Sequence, residues 1–311
     1  MSFDICVWDL CNNSCLMCTN PDRPWPAWDG SFAYDYDSLI KRIEKDRKKI
    51  LQANSLYLTG GEPTLHPRFL DIVQYLKDNF PEQRIKLLTN GRRFAYNDFA
   101  KKFLAISDNL ETDVSFCGAN NQTHDAVTQA RGSFEQTLNG FENLLKYKRV
   151  GQIVGVRTVL NRLTYQGIYK TLSLIQKKFA EADRVIVIFH ELEAQAIKNI
   201  DQIKINYQEV APFISQTASL LEGFKEIRFY HFPLCIIDQA FWPFVWKTLP
   251  DKEVEFLPSC HGCQLKEHCV GIHKGYSKHV GKKGFAAIKK IDKKKIVLSG
   301  NSYQPILKII K

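Results

Sequence analysis

No apolar run in these 311 residues is long enough to cross a bilayer as a helix, and the opening Met1-Ser2-Phe3-Asp4 lacks the basic flank and apolar stretch of a secretory signal. Membrane association is therefore not expected, and a cytoplasmic location is. Acids are almost missing from one end. Between Lys282 and Lys311, nine lysines face a single acid, Asp292; this net +8 out of a total of +10 leaves the rest of the chain nearly neutral. That stretch also has no arginine, and its only aromatics are Phe285 and Tyr303, which argues against an RNA-reading surface built on stacking and guanidinium contacts. It reads as a solvated lysine-rich end or as a hold for an acidic peptide or nucleic acid. With 44% apolar residues over this length, disorder and a disulfide mini-fold are both excluded.

Nine cysteines remain to be explained, and in a reducing cytosol they point to metal ligands or reactive groups rather than to disulfides. They are unevenly placed: Cys6, Cys11, Cys15 and Cys18 early, Cys117 alone, and Cys235, Cys260, Cys263 and Cys269 late. Between them run short β-branched segments near 3–9, 55–59, 84–89, 112–117, 152–160 and 184–190. Segments of helical period alternate with these, at 36–52, 67–79, 97–106, 133–147 and 167–180; in the last, Ile168, Leu172, Ile175 and Phe179 recur at spacings of three and four. Such alternation predicts an α/β fold of parallel strands with right-handed crossovers, whose chemistry lies in loops beyond the strands' C-terminal ends. The pattern loosens after about residue 195 into one helix (207–222), one strand (225–231) and a cysteine-rich stretch without clear period.

The motifs sit where that rule expects them. Cys11-Asn12-Asn13-Ser14-Cys15-Leu16-Met17-Cys18 follows the first strand, and its three thiols can hold three corners of a four-iron cluster, leaving one iron open; a zinc knuckle with a distant fourth ligand would look similar. Thr59-Gly60-Gly61-Glu62-Pro63 ends the second strand and Leu88-Thr89-Asn90-Gly91 the third. Paired glycines allow a close approach of backbone to a ligand, and a neighbouring carboxylate can receive an ammonium group.

In this combination and order the three motifs resemble those of the radical S-adenosylmethionine (SAM) superfamily, over about residues 3–195. The resemblance implies a partial (β/α)6 TIM-like barrel with a small C-terminal iron–sulfur subdomain. It divides the chain into a core at 1–195, an auxiliary-cluster extension at 196–281 and a basic tail at 282–311. By the same resemblance Cys11, Cys15 and Cys18 bind a [4Fe-4S] cluster whose open iron chelates SAM, Gly60, Gly61 and Glu62 hold the SAM amino group, and Thr89 and Asn90 lie near the ribose. Met17 would pack on the adenine or serve as a core residue. The segment from Val114 to Asn120, with Thr123-His124-Asp125 and Arg131-Gly132-Ser133-Phe134, is similar to the fourth-strand region of the peptide-modifying branch. There Ser115, Arg131 and, past the fifth strand, Asn161 become candidates for SAM or substrate contacts, while His124-Asp125 also reads as a helix cap. Cys117 stands where this branch commonly has an aspartate, so it could return a hydrogen atom to a substrate radical or simply be an inert core thiol.

Cys260-His261-Gly262-Cys263 and Cys269, preceded by Cys235, resemble the auxiliary-cluster extension of these enzymes in its shorter "twitch" form, with His273 where the longer SPASM form has a further cysteine. A second [4Fe-4S] cluster is expected, with structural zinc as the alternative. His261, His268 and His273 read as surface or supporting residues. If Cys235 completes the ligand set the cluster would be an electron relay; otherwise an open iron could bind substrate, as in molybdopterin-precursor enzymes. Trp25 and Trp28 line the substrate entrance or cover the barrel end, and Glu191 and Glu193 face the mouth or solvent. The expected partners are a peptide substrate, or else a small molecule or nucleotide, and a flavodoxin- or ferredoxin-type reductant. The chain begins at strand one, so leader binding would fall to a separate protein or to the basic tail.

Overall fold

In the computed structural model, which describes residues 2–310, eight strands form one parallel sheet in chain order. The strands are β1 (Ser2–Trp8), β2 (Ser55–Gly60), β3 (Arg84–Thr89), β4 (Leu110–Ser115), β5 (Ile153–Leu160), β6 (Arg184–Phe189), β7 (Ile227–Tyr230) and β8 (Val245–Trp246). The α/β class is as read from the alternating pattern. Beyond the six strands of the expected barrel, β7, which matches the strand expected at 225–231, and the unforeseen two-residue β8 continue the sheet. An aromatic stretch such as Phe241-Trp242-Pro243-Phe244-Val245-Trp246 has no period of its own; packing turns it into a 3-10 turn and a two-residue strand. Among the described residues no helix is long and apolar enough to cross a membrane.

The chain divides into two units, with the boundary inside β5. The first comprises Met1–Cys15, Asn20–Arg157 and Glu181–Asp183. It carries β1 to β4 and helices α1 (Tyr36–Lys45), α2 (Arg47–Leu51), α3 (Phe69–Asn79), α4 (Asn97–Ile106), α5 (Asn121–Thr128) and α6 (Ser133–Tyr147). In β3 burial alternates residue by residue, with Ile85, Leu87 and Thr89 inward. Phe69 stacks on Phe103, which Phe94 meets at a tilt of 59°, and the three form an aromatic core. The helical run expected at 36–52 breaks at Asp46, whose carboxylate accepts from the Trp28 indole at 2.9 Å and from Lys49 at 2.6 Å. The fourth strand ends at Ser115, so Cys117 lies in the loop beyond it.

The second unit comprises Leu16–Thr19, Thr158–Ala180 and Arg184–Lys311. Its helices are α7 (Ile168–Lys178), α8 (Ala194–Lys198), α9 (Ile200–Ile203), α10 (Tyr207–Ser215) and α11 (Lys274–His279). All six residues of β6 are buried, as a parallel strand covered on both faces requires. Helix α10 starts in a capping box, Asn206 accepting from Glu209 N–H while the Glu209 carboxylate accepts from Asn206 N–H, and ends at Ser215 rather than 222. Two small antiparallel pairs complete the unit: β9 (Val254–Glu255) with β10 (Ile272–His273), and β11 (Ile296–Leu298) with β12 (Ile306–Ile309). Phe189, Tyr207, Tyr276 and Phe285 pack into one aromatic cluster, with Phe189 and Tyr207 stacked at 3.8 Å.

Candidate functional site

In the first unit the loop after β1 is held by the ends of β2 and β3. Gly61 N–H donates to Trp8 O and Glu62 N–H to Leu10 O, each at 2.7 Å, so the Gly-Gly pair lies directly against the backbone that leads into Cys11. A Cβ on Gly60 would meet Trp8 O at 2.2 Å and one on Gly61 would meet Leu10 O at 2.2 Å; Gly60 also has φ 138°. The close approach that demands these glycines is to the protein's own chain. We expect Gly61→Ala to push Leu10 and Cys11 away and to cost about 1–3 kcal/mol, read as a lower melting temperature together with less iron retained on reconstitution. Unchanged iron content would refute this role.

Glu62 is 1% exposed and fully engaged. Its Oε1 accepts from Thr64 Oγ1 at 2.6 Å, Thr89 Oγ1 at 2.7 Å and Thr64 N at 3.2 Å, and its Oε2 from Asn90 N at 2.7 Å. Burial pushes this carboxyl above the usual range, against the opposing pull of the donors, first Asn90 N–H. The carboxylate therefore ties the end of β2 to the end of β3. Asn90 passes the order on: its Nδ2 donates to Asn12 Oδ1 at 2.7 Å and reaches Cys11 Sγ at 3.9 Å, while its Oδ1 accepts from Arg92 N. Arg92 donates to Asn13 Oδ1 at 2.7 Å, to Asn12 O and, through Nε, to Gln136 Oε1 at 2.7 Å. Sequence reasoning missed Asn12, Asn13, Arg92 and Gln136, because no motif joins residues so far apart in the chain.

Other first-unit candidates take structural positions. Asp125 caps α6, accepting from Gly132 N, Ser133 Oγ and Phe134 N at 2.6–2.9 Å. Burial alone would raise its carboxyl, but these donors outweigh it and hold it below the usual range. Arg131 is exposed, and Ser115 is half-buried opposite Arg157 of β5. Cys117 is buried, its N–H donating to His124 Nδ1 at 3.1 Å; burial pushes its thiol up to about 12 and the His124 imidazole down to about 4. Trp25 is buried, its indole donating to Cys6 Sγ at 3.2 Å and its carbonyl accepting from Tyr34.

In the second unit, residues 16–19 rest on the loop after β6. Ala196 N–H donates to Cys18 O at 2.9 Å and Asn199 Nδ2 to Leu16 O at 3.0 Å. Met17 packs against the cluster of Leu16, Leu192, Ala196 and Ile203. Asn161 and His190, at the ends of β5 and β6, are at most 2% exposed, and among the described residues Asn161 Nδ2 lacks a hydrogen-bond partner. Burial, aided by the nearby His273 and opposed by a hydrogen bond with the Ile205 backbone, brings the His190 imidazole down to about 4. Orphaned buried donors are rare in native proteins, and a polar ligand would satisfy them. Glu193 is exposed beside the buried His273, whose Nε2 lies 3.0 Å from Glu193 Oε1 and whose Nδ1 accepts from Gly275 N–H. Glu191 lies 3.4 Å from His231.

Cys235, Cys260, Cys263 and Cys269 line a single cavity, closed by apolar side chains including Phe256, Leu265, Ile272 and Phe285. Burial pushes the Cys269 thiol up to about 11, against the N–H groups of Gly271 and Leu234, and raises Cys235 against that of Ala286. Among the described residues no three His, Cys, Asp or Glu groups stand in metal-coordinating geometry. The donor set itself, four thiols with backbone N–H groups aimed at sulfur in an apolar pocket, suits an iron–sulfur centre or zinc.

Comparison with known proteins agrees with this picture. The family model "Radical SAM superfamily" matches residues 5–175. The mycofactocin maturase MftC of Mycolicibacterium smegmatis is 31% identical over 144 residues, 45% of this chain and 34% of that protein. The GTP 3′,8-cyclase of Nautilia profundicola is 27% identical over 189 residues, 60% of this chain and 54% of that protein. The chain thus spans about a third to a half of these relatives. Among solved structures, Streptococcus suis SuiB bound to its precursor peptide SuiA has a similar fold, with a TM-score of 0.57 and 12% identity over 78% of this chain and 50% of that one.

Proposed function

The chain belongs to the radical SAM superfamily, and from that premise we propose that it is an enzyme that takes a hydrogen atom from a ribosomally made peptide and leaves an oxidised product such as a crosslink. The observation that carries the reading is the clamp of Glu62, Asn90 and Arg92 on the loop that begins the C-x3-C-x2-C motif. Cys11, Cys15 and Cys18 would hold a [4Fe-4S] cluster, which would supply the one-electron reduction that cleaves SAM. Asn90 steadies Cys11 through its side-chain N–H, and Arg92 adds a fixed positive charge beside that thiolate-bearing loop. Glu62 acts by positioning, since both its oxygens already accept from the protein's own donors. Asn161 would give its unpartnered side-chain N–H to SAM or substrate.

The peptide is favoured by the likeness to MftC and to SuiB with its precursor peptide. A second centre, held by Cys235, Cys260, Cys263 and Cys269, would accept the electron released when the substrate radical is oxidised. Because Cys235 shares the cavity with the other three, the reading favours full ligation. The likeness to GTP 3′,8-cyclase supports a second reading, radical chemistry on a nucleotide. Anaerobically reconstituted protein, SAM and dithionite, incubated with the deuterated product of a short neighbouring reading frame, should move deuterium into 5′-deoxyadenosine and lower the peptide's mass. Consumption of GTP with no change in the peptide would overturn the peptide reading in favour of the nucleotide.

A further inference from the structure

The lysine-rich end of the chain is an ordered part of the second unit. Residues 284–288 form a strap: Gly284 O accepts from Gln208 Nε2 at 3.0 Å, Ile288 O accepts from Gln264 N at 2.9 Å, and Phe285, Ala286 and Ile288 line the four-thiol cavity. The hairpin β11–β12 that follows is pinned where Lys247 N–H donates to Tyr303 O and Gln304 Nε2 to Pro243 O, both at 2.7 Å. Lysines therefore bracket the cavity in fixed positions, Lys282 and Lys283 before the strap and Lys289 and Lys290 after it, while Lys266 lines the cavity itself.

These charges are not neutralised locally. Lys282 pairs with Glu255 at 3.3 Å, but Lys283, Lys289, Lys290, Lys294, Lys295 and Lys308 are exposed with no carboxylate partner among the described residues. Beside them Leu298, Tyr303 and Leu307 are each more than half exposed, and Val297 of β11 pairs with Lys308 of β12. A solvated lysine run needs neither anchoring nor apolar neighbours. A basic field with an apolar centre is the make-up of a protein-docking surface, in which charge steers the encounter and apolar contact holds it. RNA is a poorer fit, with no arginine between Lys282 and Lys311 and Tyr303 as the exposed aromatic.

We infer that this surface docks a one-electron carrier protein, an iron–sulfur or flavin protein with an acidic face, which exchanges electrons with the centre held by the four thiols. The inference rests on the proposed second centre. In its oxidised form the carrier takes up the single electron left by oxidation of the substrate radical, becoming reduced by one, while the substrate's proton passes to solvent. No bond is made to the carrier.

The test uses the full chain, anaerobically reconstituted, with an acidic bacterial ferredoxin as probe. Its Kd is measured calorimetrically at 50 and 300 mM salt for the wild type, for K283Q/K289Q/K290Q/K294Q, and for a charge-matched control, K41Q/K45Q/K48Q/K102Q. We expect binding to weaken about tenfold or more in the first variant at low salt, with a shallower salt dependence, and to stay within about twofold of wild type in the control. Equal weakening in both variants, or none, overturns the docking surface. So does retained ferredoxin binding with loss of binding to a polyglutamate peptide, which would assign the lysines to an acidic peptide. Iron content separates the two levels: lysine-independent binding by protein with about eight irons sinks the docking alone, whereas wild type with four irons removes the second centre and the inference with it.

Discussion

Cys11→Ala protein, reconstituted with iron and sulfide, is expected to release no 5′-deoxyadenosine above background from SAM under dithionite. The loss should be complete because three thiols hold three irons, and removing one leaves a cluster that neither persists nor presents an open iron in a defined place. Cys11 is also the thiol that receives Asn90 Nδ2, and its loop is the one fastened by Gly61, Glu62 and Arg92. The fold should survive the change, since Cys11 is only half-buried and its Sγ accepts only long contacts, from Asn13 N–H at 3.4 Å and Asn90 Nδ2 at 3.9 Å, among the hydrogen bonds described. Circular dichroism like that of the wild type, together with about four fewer irons, would locate the defect at the cluster. SAM cleavage at the wild-type rate would falsify the radical reading.

Cys260→Ala with Cys263→Ala should have the opposite profile: 5′-deoxyadenosine still forms, but oxidised product does not accumulate. The first motif is untouched, so SAM cleavage persists. On the proposed reading the acceptor for the substrate radical's electron would be lost, and the radical would instead take one electron from dithionite and a proton from solvent and return to substrate. The change has a structural signature as well. Residues 256–272 contain short 3-10 turns and a two-residue strand, and the cavity they enclose is lined by four thiols, of which burial raises Cys235 and Cys269. A bound centre would supply much of the order there. Faster amide exchange over 256–290 should therefore accompany the loss of product. Normal product yield would make the second site purely structural.

The two cysteine sets differ in how far they could be read in advance. Cys11, Cys15 and Cys18, and likewise Cys260 and Cys263, lie within a few residues of one another, so local spacing states the chemistry. Cys235 joins the second set only because the strap at 285–288 and the turns after β9 fold one cavity around all four thiols. His273 illustrates the same limit: from its neighbours it reads as a surface or supporting residue, yet it is 3% exposed and faces Glu193.

By itself the amino-acid order determined the alternation of strands and helices and the spacing of the thiols. It also determined the need for glycine at 60 and 61, since period, side-chain type and the absence of a Cβ act over a turn or a strand. Tertiary structure alone decided that those glycines serve the approach of the backbone at the end of β1 and just after it, and that Glu62 is occupied by Thr64, Thr89 and Asn90. It alone decided, too, that Arg92 fastens Asn12 and Asn13, that β7 and β8 extend the sheet, and that residues 285–288 of the lysine-rich end line the cavity of the four thiols. Those outcomes depend on which distant segments pack together, and the free energy that selects the packing is shared among many buried contacts rather than written in any one stretch.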